Sequence, residues 1–211
     1  MTWGNRPIPE IQTRRITWTV PAPVALNFVP GWNLVGNSSS GSLNVAAAFG
    51  DGTKVNTVWK WIAGVTKWAF YTPSLVGPAL TDYATSKGYD VLTTLNGGEG
   101  FWVNATTAFT AQLPAGTAIT STSFQAMAPG WNLIAIGDNK TPSQFNALVG
   151  AATPLTTLWA WDAAQTNWYF YAPSLEANGG TALTDYITGK GYLGFGTKVL
   201  DPSTGFWVNR P

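Results

Sequence analysis

The side chains best suited to chemistry in this 211-residue chain are aromatic. Residues Val58–Leu75 read VWKWIAGVTKWAFYTPSL, and Leu158–Leu175 read LWAWDAAQTNWYFYAPSL. Each stretch predicts a β-hairpin, with two aromatic-rich runs around a short polar turn and a stop at Pro73 or Pro173. Alternate residues of a strand share a face. Trp59 and Trp61 therefore point one way on the first strand, Trp68 and Phe70 share a face on the second, and Trp159, Trp161, Trp168 and Phe170 repeat the set. The flat face of an indole packs on the apolar face of a pyranose, while neighbouring Asn, Asp or Lys groups bond its hydroxyls. The candidate ligand-binding residues are Trp59, Trp61, Trp68 and Tyr71 in the first stretch, and Trp159, Trp161, Trp168, Tyr169 and Tyr171 in the second.

A packed core explains the same residues, because buried aromatics dominate protein interiors. Every position on the Trp face is held between the copies, whereas the opposite face varies: Lys60/Ala160, Ile62/Asp162, Lys67/Asn167 and Ala69/Tyr169. Such retention fits a core at least as well as a duplicated site. The expectation is that most of the Trp face is core, with one or two residues exposed at its edge. Tyr71/Tyr171 and Tyr89/Tyr192 would then supply the ligand surface.

Other chemistries have little to stand on. The sequence contains no Cys and no His, which removes thiolates, disulfides and the commonest general base and metal ligand. Of ten carboxylates only Asp82/Asp185 recurs in both copies, in a place that helix capping explains, so paired-carboxylate hydrolysis has no supporting pattern. The expectation is a non-enzyme that uses no cofactor and no metal. Net charge is +1 and the one adjacent basic pair is Arg14-Arg15, which argues against a nucleic-acid partner. No apolar run approaches the length of a membrane-spanning helix, so no membrane insertion is expected. Residues 1–30 lack a basic segment followed by a continuous apolar stretch, and Met1 is read either as the native start or as one placed after a removed leader or upstream domain. Scarce charge with abundant Thr, Asn, Gly and aromatics points to an extracellular or cell-surface location.

The elements that must position these residues also come in pairs. Gly31-Trp-Asn-Leu34 returns as Gly130-Trp-Asn-Leu133, and Leu80-Thr-Asp-Tyr83 as Leu183-Thr-Asp-Tyr186. Lys87-Gly-Tyr89 returns as Lys190-Gly-Tyr192, and Gly100-Phe-Trp-Val-Asn104 as Gly205-Phe-Trp-Val-Asn209. The offset grows from 99 to 105 residues, so short insertions fall between elements that persist. With Gly 23 and Pro 14, the predicted fold is mainly β: two tandem similar units, each a small sandwich or barrel carrying one or two short helices. The expected division is an N-terminal arm over 1–15, a first unit over 16–107 and a second over 108–211. Leu80–Lys87 and Leu183–Lys190 read as helices with Asp in the first turn, Lys in the last and Gly beyond. Residues 43–49 read as a short helix or a strand, Thr141–Gly150 as helical turns, and DVLTTL and GFGTKVL as strands.

The ordered set Gly-Trp-Asn-Leu, Trp-x-Trp, Trp-x-Phe-Tyr-x-Pro, Lys-Gly-Tyr and Gly-Phe-Trp-Val-Asn resembles a tandem Trp-rich module of secreted and surface-attached bacterial proteins. That module often stands beside immunoglobulin-like or carbohydrate-active domains. The likeness covers roughly residues 28–108 and 127–210. It implies an extracellular, non-enzymatic β-module, for a family without a settled activity. Ser203-Thr204-Gly205 stands where the first copy has Gly98-Glu99-Gly100, so Glu99 is not an essential group. The functional expectation is a non-catalytic module that binds a polysaccharide or oligosaccharide by aromatic stacking. The alternative is a structural or adhesive module that self-assembles through its N-terminal arm or sheet edges.

Overall fold

The computed structural model describes Met1, residues 23–150 and residues 154–211. The expected arm after Met1 and the strand expected over Ile16–Val20 lie outside the described residues. The first half of the chain runs β1 (Ala25–Phe28), β2 (Gly31–Gly36), β3 (Leu43–Asn44), α1 (Val45–Phe49), β4 (Val55–Ile62) and β5 (Lys67–Tyr71). It continues with α2 (Pro78–Ser86), β6 (Asp90–Val91), β7 (Thr94–Leu95), β8 (Gly100–Ala105) and β9 (Phe109–Gln112). The second half runs β10 (Gly130–Ala135), α3 (Pro142–Val149), β11 (Thr157–Asp162), β12 (Asn167–Tyr171), α4 (Pro173–Ala177), α5 (Ala182–Lys190), β13 (Leu193–Gly194) and β14 (Gly205–Arg210).

The protein is mainly β, with two five-stranded sheets and few, short helices. The sheets are ordered β2-β8-β4-β5-β6 and β10-β14-β11-β12-β13, and the two-stranded ribbons β1-β9 and β3-β7 complete the described strands. The Trp hairpins sit in the same register in both sheets, with Trp59 opposite Phe70 and Trp61 opposite Trp68, and Trp159 opposite Phe170 and Trp161 opposite Trp168. The last strand of each sheet is parallel to its neighbour. A parallel pair needs a crossover, which α2 provides in one sheet and α4–α5 in the other.

Alternation along the strands divides each sheet into two unlike faces. In the first sheet Val35, Val58, Phe101 and Val103 pack with Phe49 of α1 and with Leu26 and Phe28 of β1 into the main core. In the second, Ile134, Leu158, Phe206 and Val208 pack with Phe145 of α3, whose ring meets Phe206 edge-on at 5.3 Å. On the other face Phe70 meets Leu80 and Ala84 of α2, and Phe170 meets Ile187 of α5.

Local sequence explains most helix limits. Thr141 and Gln144 form a reciprocal capping box and Pro142 opens α3. Residues 43–49 resolve into both expected alternatives, since β3 ends at Asn44, whose side chain accepts the Ala47 N–H and starts α1. Helix α2 starts earlier than expected, because Pro78 takes its first turn and leaves Asp82 in the second. Asp185 does lie in the first turn of α5, where its carboxylate accepts the Thr181 hydroxyl at 2.8 Å. DVLTTL is split into β6 and β7, and GFGTKVL forms no strand beyond Gly194. Among the described residues no helix is long and apolar enough to cross a membrane.

Candidate functional site

The two sheets meet along a seam at their outer strands, β2 and β10. Val35 bridges Thr204, Glu99 bridges Ile134, and the Ala135 N–H donates to Gly98 O at 2.9 Å. Glycine permits this approach. A Cβ at Gly36 would stand 2.1 Å from the Cβ of Ala135, one at Gly205 2.1 Å from Val35 O, and one at Gly100 2.8 Å from Ile134 O.

Of twelve tryptophans, Trp3 and Trp18 lie outside the described residues, and the other ten all gather at this seam. The indole bonds that cross it are reciprocal. Trp61 Nε1–H donates to Trp131 O, and Trp161 Nε1–H donates to Trp32 O, each at 2.8 Å. The rings repeat the pattern, with Trp61–Trp207 centroids at 6.1 Å and Trp102–Trp161 at 6.0 Å, both inclined at 58°. Trp68–Trp207 and Trp102–Trp168 follow at 5.9 and 5.7 Å. Tilted and edge-on contacts of this kind are the favoured aromatic geometries, worth about 0.5–1.5 kcal/mol each beyond area burial.

The indoles leave two apolar grooves between them. One, of about 360 Å³, is lined by Trp61, Trp68, Trp131, Trp159, Trp168 and Trp207. The other, of about 430 Å³, is lined by Trp32, Trp59, Trp68, Tyr89, Trp102, Trp161 and Trp168. Both volumes fall within the range of about 300–1,000 Å³ usual for small-molecule sites, and no charged side chain lines either groove. Trp32 and Trp131 are 46% and 43% exposed, and the other eight rings are half-buried. The Trp face is largely shielded, with Phe70 and Phe170 3% exposed, the hairpin indoles partly buried, and Trp32 and Trp131 on the edge strands the exposed ones among the described tryptophans. The larger core lies on the opposite face, where α1, α3 and the β1-β9 ribbon cover Val58, Val103, Leu158 and Val208. The Trp face is covered by α2 or α5 at one end and by the facing sheet's indoles at the other, with open grooves between.

The structure thus brings Trp59, Trp61, Trp68, Trp159, Trp161 and Trp168 together at one place. It sets the candidate tyrosines apart, because Tyr71, Tyr169 and Tyr171 have the opposite strand parity to Trp68 and Trp168. Tyr171 is 4% exposed within the core, and its hydroxyl donates to Glu176 Oε2 at 2.6 Å. Tyr71 packs between the main core and the α2 cluster. Tyr169 packs against Phe195 with centroids 5.2 Å apart and the rings tilted by 40°, and donates to Asp162 Oδ2 at 3.1 Å. Burial pushes all three phenols above their ordinary range; the acceptors Asp162 and Glu176 add to the effect on Tyr169 and Tyr171. Burial works to raise Asp162, yet the N–H groups of Gln165 and Ala164 and the Tyr169 hydroxyl outweigh it and hold that carboxyl low.

Trp32, Trp102, Trp131 and Trp207 line the grooves but were not among the candidates. Their signal was the recurrence of Gly-Trp-Asn-Leu and Gly-Phe-Trp-Val-Asn, since Trp102 lies opposite Trp59 and Trp207 opposite Trp159. The Asn of the first motif has a local task. Asn33 Nδ2 donates to Val29 O and Gly31 O, and Asn132 Nδ2 to Ala128 O and Gly130 O. Tyr89 and Tyr192 stand edge-on to Trp59 and Trp159 at 5.0 Å. The Nε1–H groups of Trp59 and Trp159 are buried without a hydrogen-bond partner among the described residues. Among the described residues no three acidic side chains cluster in a way that would hold a metal ion. Compared with protein-family models, with curated proteins and with solved structures, the chain matches none.

Proposed function

We propose that this protein is a non-catalytic, extracellular carbohydrate-binding module, built of two tandem similar β-units, that holds an oligosaccharide or polysaccharide by aromatic stacking in the Trp grooves. The observation that carries this reading is the pair of apolar grooves that the indoles line at the seam. Of the ten indoles gathered at the seam, Trp32 and Trp131 are exposed, and with the eight partly buried ones they line two grooves of about 360 and 430 Å³. Exposed apolar patches on soluble proteins mark interaction sites. A groove walled by indoles and free of charge suits a neutral ligand with apolar ring faces. Two grooves on one chain would add avidity for a repeating polymer.

The test is intrinsic Trp emission of the full chain with acrylamide, and with glucan, xylan or mannan oligosaccharides. Red-shifted, quenchable emission that a sugar moves to the blue, and that Trp59→Ala, Trp61→Ala or Trp68→Ala abolishes, is the expected result. Blue, poorly quenched emission without any response to sugar would overturn it. That outcome favours a second reading, a structural or adhesive module in which the indoles serve as mortar. The reciprocal Trp61–Trp131 and Trp161–Trp32 bonds speak for this rival. The sheet edges offer it little, since the described outer strands β6 and β13 have two residues each.

A further inference from the structure

Two polar recesses flank the seam, and several of their wall positions correspond between the two halves. One, of about 290 Å³, lies beside Trp61 and includes Lys60, Glu99 and Asn132. The other, of about 180 Å³, lies beside Trp161 and has Ala160, Thr204 and Asn33 at those positions. Trp61 lines one Trp groove as well as its recess, and Trp161 lines the other groove as well as its own.

Their chemistry differs. Beside Trp61 the polar capacity is already used. Lys60 Nζ donates to both carboxylate oxygens of Glu99 at 2.7 Å, and Glu99 Oε2 also accepts the Asn96 N–H at 2.7 Å. Beside Trp161 the ion pair is missing, and Lys198 and Asp201 enter the wall instead. Among the described residues Lys198 has no carboxylate partner, and its ammonium rests over the Tyr169 ring at 5.0 Å. Asp201 Oδ1 accepts the Ser203 N–H and hydroxyl at 2.8 and 2.6 Å, while Oδ2 accepts no bond among the described residues.

We propose that the recess beside Trp161 is a sugar-reading subsite, in which Asp201 accepts and Lys198 donates hydrogen bonds to neighbouring hydroxyls of a neutral pyranose, and that the recess beside Trp61 is not. This rests on the carbohydrate reading above. Among the described residues, one wall of this recess thus carries an ammonium without a carboxylate partner and a carboxylate oxygen without a donor, which offer one ligand a donor and an acceptor. A vicinal diol satisfies both, because each hydroxyl donates and accepts. The two charges cancel, which selects an uncharged ring over a uronic acid or an amino sugar. A volume of about 180 Å³, below the usual drug-sized site, takes one ring. Trp161 places that ring at the end of a chain stacked along the groove.

The experiment is calorimetric titration of the full chain with cellohexaose, xylohexaose and mannohexaose, with indole N–H resonances followed by NMR. Wild type, Asp201→Asn, Lys198→Met and Glu99→Gln are compared. The proposal expects Asp201→Asn and Lys198→Met each to weaken binding of the preferred hexaose about tenfold, as loss of a charged hydrogen bond does, and Glu99→Gln to leave it within about twofold. Asp201 also holds the turn at Ser203, so Lys198→Met gives the same test without touching that turn. If both variants bind as wild type does while a sugar still moves the Trp161 resonance, the subsite is wrong and the stacking reading stands. Equal losses from Glu99→Gln and Asp201→Asn overturn the asymmetry. If no hexaose moves any indole resonance, the stacking reading falls and the subsite with it.

Discussion

The two crossings of the seam are built from the same parts and closed by different means. At one, Glu99 lies against Ile134 and its carboxylate is held by Lys60, with the two side chains 28% and 14% exposed. At the other, Thr204 lies against Val35, and Ala160 faces it without a charge. The indole bonds, ring inclinations and hairpin registers agree to within a few tenths of an ångström or a few degrees on both sides. What differs is the polar chemistry next to the indoles. Aromatic geometry is thus the part of the seam that both halves require, and side-chain charge is the part free to diverge.

That comparison can be broken at the glycines. Gly205→Ala drives a methyl group to 2.1 Å from Val35 O, whereas Gly100→Ala meets Ile134 O at 2.8 Å. Both replacements overpack a backbone crossing. Gly205→Ala should cost about 3 kcal/mol or more and Gly100→Ala about 1–2 kcal/mol, read as midpoint shifts in urea unfolding. Equal costs would mean that the two crossings yield alike. A smaller effect is expected from the ion pair. Glu99→Gln should cost about 1–2 kcal/mol at low salt, between the values for exposed and buried pairs, and less in molar salt. Ala160→Lys with Thr204→Glu should not restore the pair but cost about 1–3 kcal/mol, because Ala160 is 1% exposed in the core cluster, opposite Tyr169. A neutral Glu99→Gln would show that the charge contributes nothing to the seam. The smallest effect lies in the hairpin turns. Thr66 and Thr166 hold φ of 48° and 47°, which β-branched residues resist. Thr66→Gly and Thr166→Gly should each stabilise by about 0.5 kcal/mol after the added chain entropy of glycine, and equally, as a rise in melting temperature.

Much of this was legible in the sequence. Period-two alternation through Trp59, Trp61, Trp68 and Phe70 fixed the hairpins and their shared face, because strand parity is local. Thr141-Pro142 with Gln144 announced α3, because capping is local too. The same parity, carried one residue further, places Tyr71, Tyr169 and Tyr171 away from the Trp face, so that part of the candidate set could have been trimmed by counting. What local reasoning lacks is the partner of each face. Whether Trp59 faces a core or a groove depends on a sheet about 100 residues away, and neither Gly205 nor Glu99 carries a sign that it touches Val35 or Ile134. Pro78 moved the start of α2 and took Asp82 out of its first turn, a case in which one rigid residue outranks a favourable charge.

The reciprocal indole bonds have a consequence for synthesis. Trp61 waits for a carbonyl 70 residues ahead of it, and the carbonyl of Trp32 waits for an indole 129 residues ahead. On a ribosome that adds about 5–20 residues per second, the leading half is complete in sequence several seconds before its complement emerges. Throughout that interval it presents Trp32, Trp59, Trp61, Trp68 and Trp102 with no facing sheet. A nascent chain of this kind is a ready client for chaperones, and two ribosomes translating one message bring such half-finished faces within reach of each other.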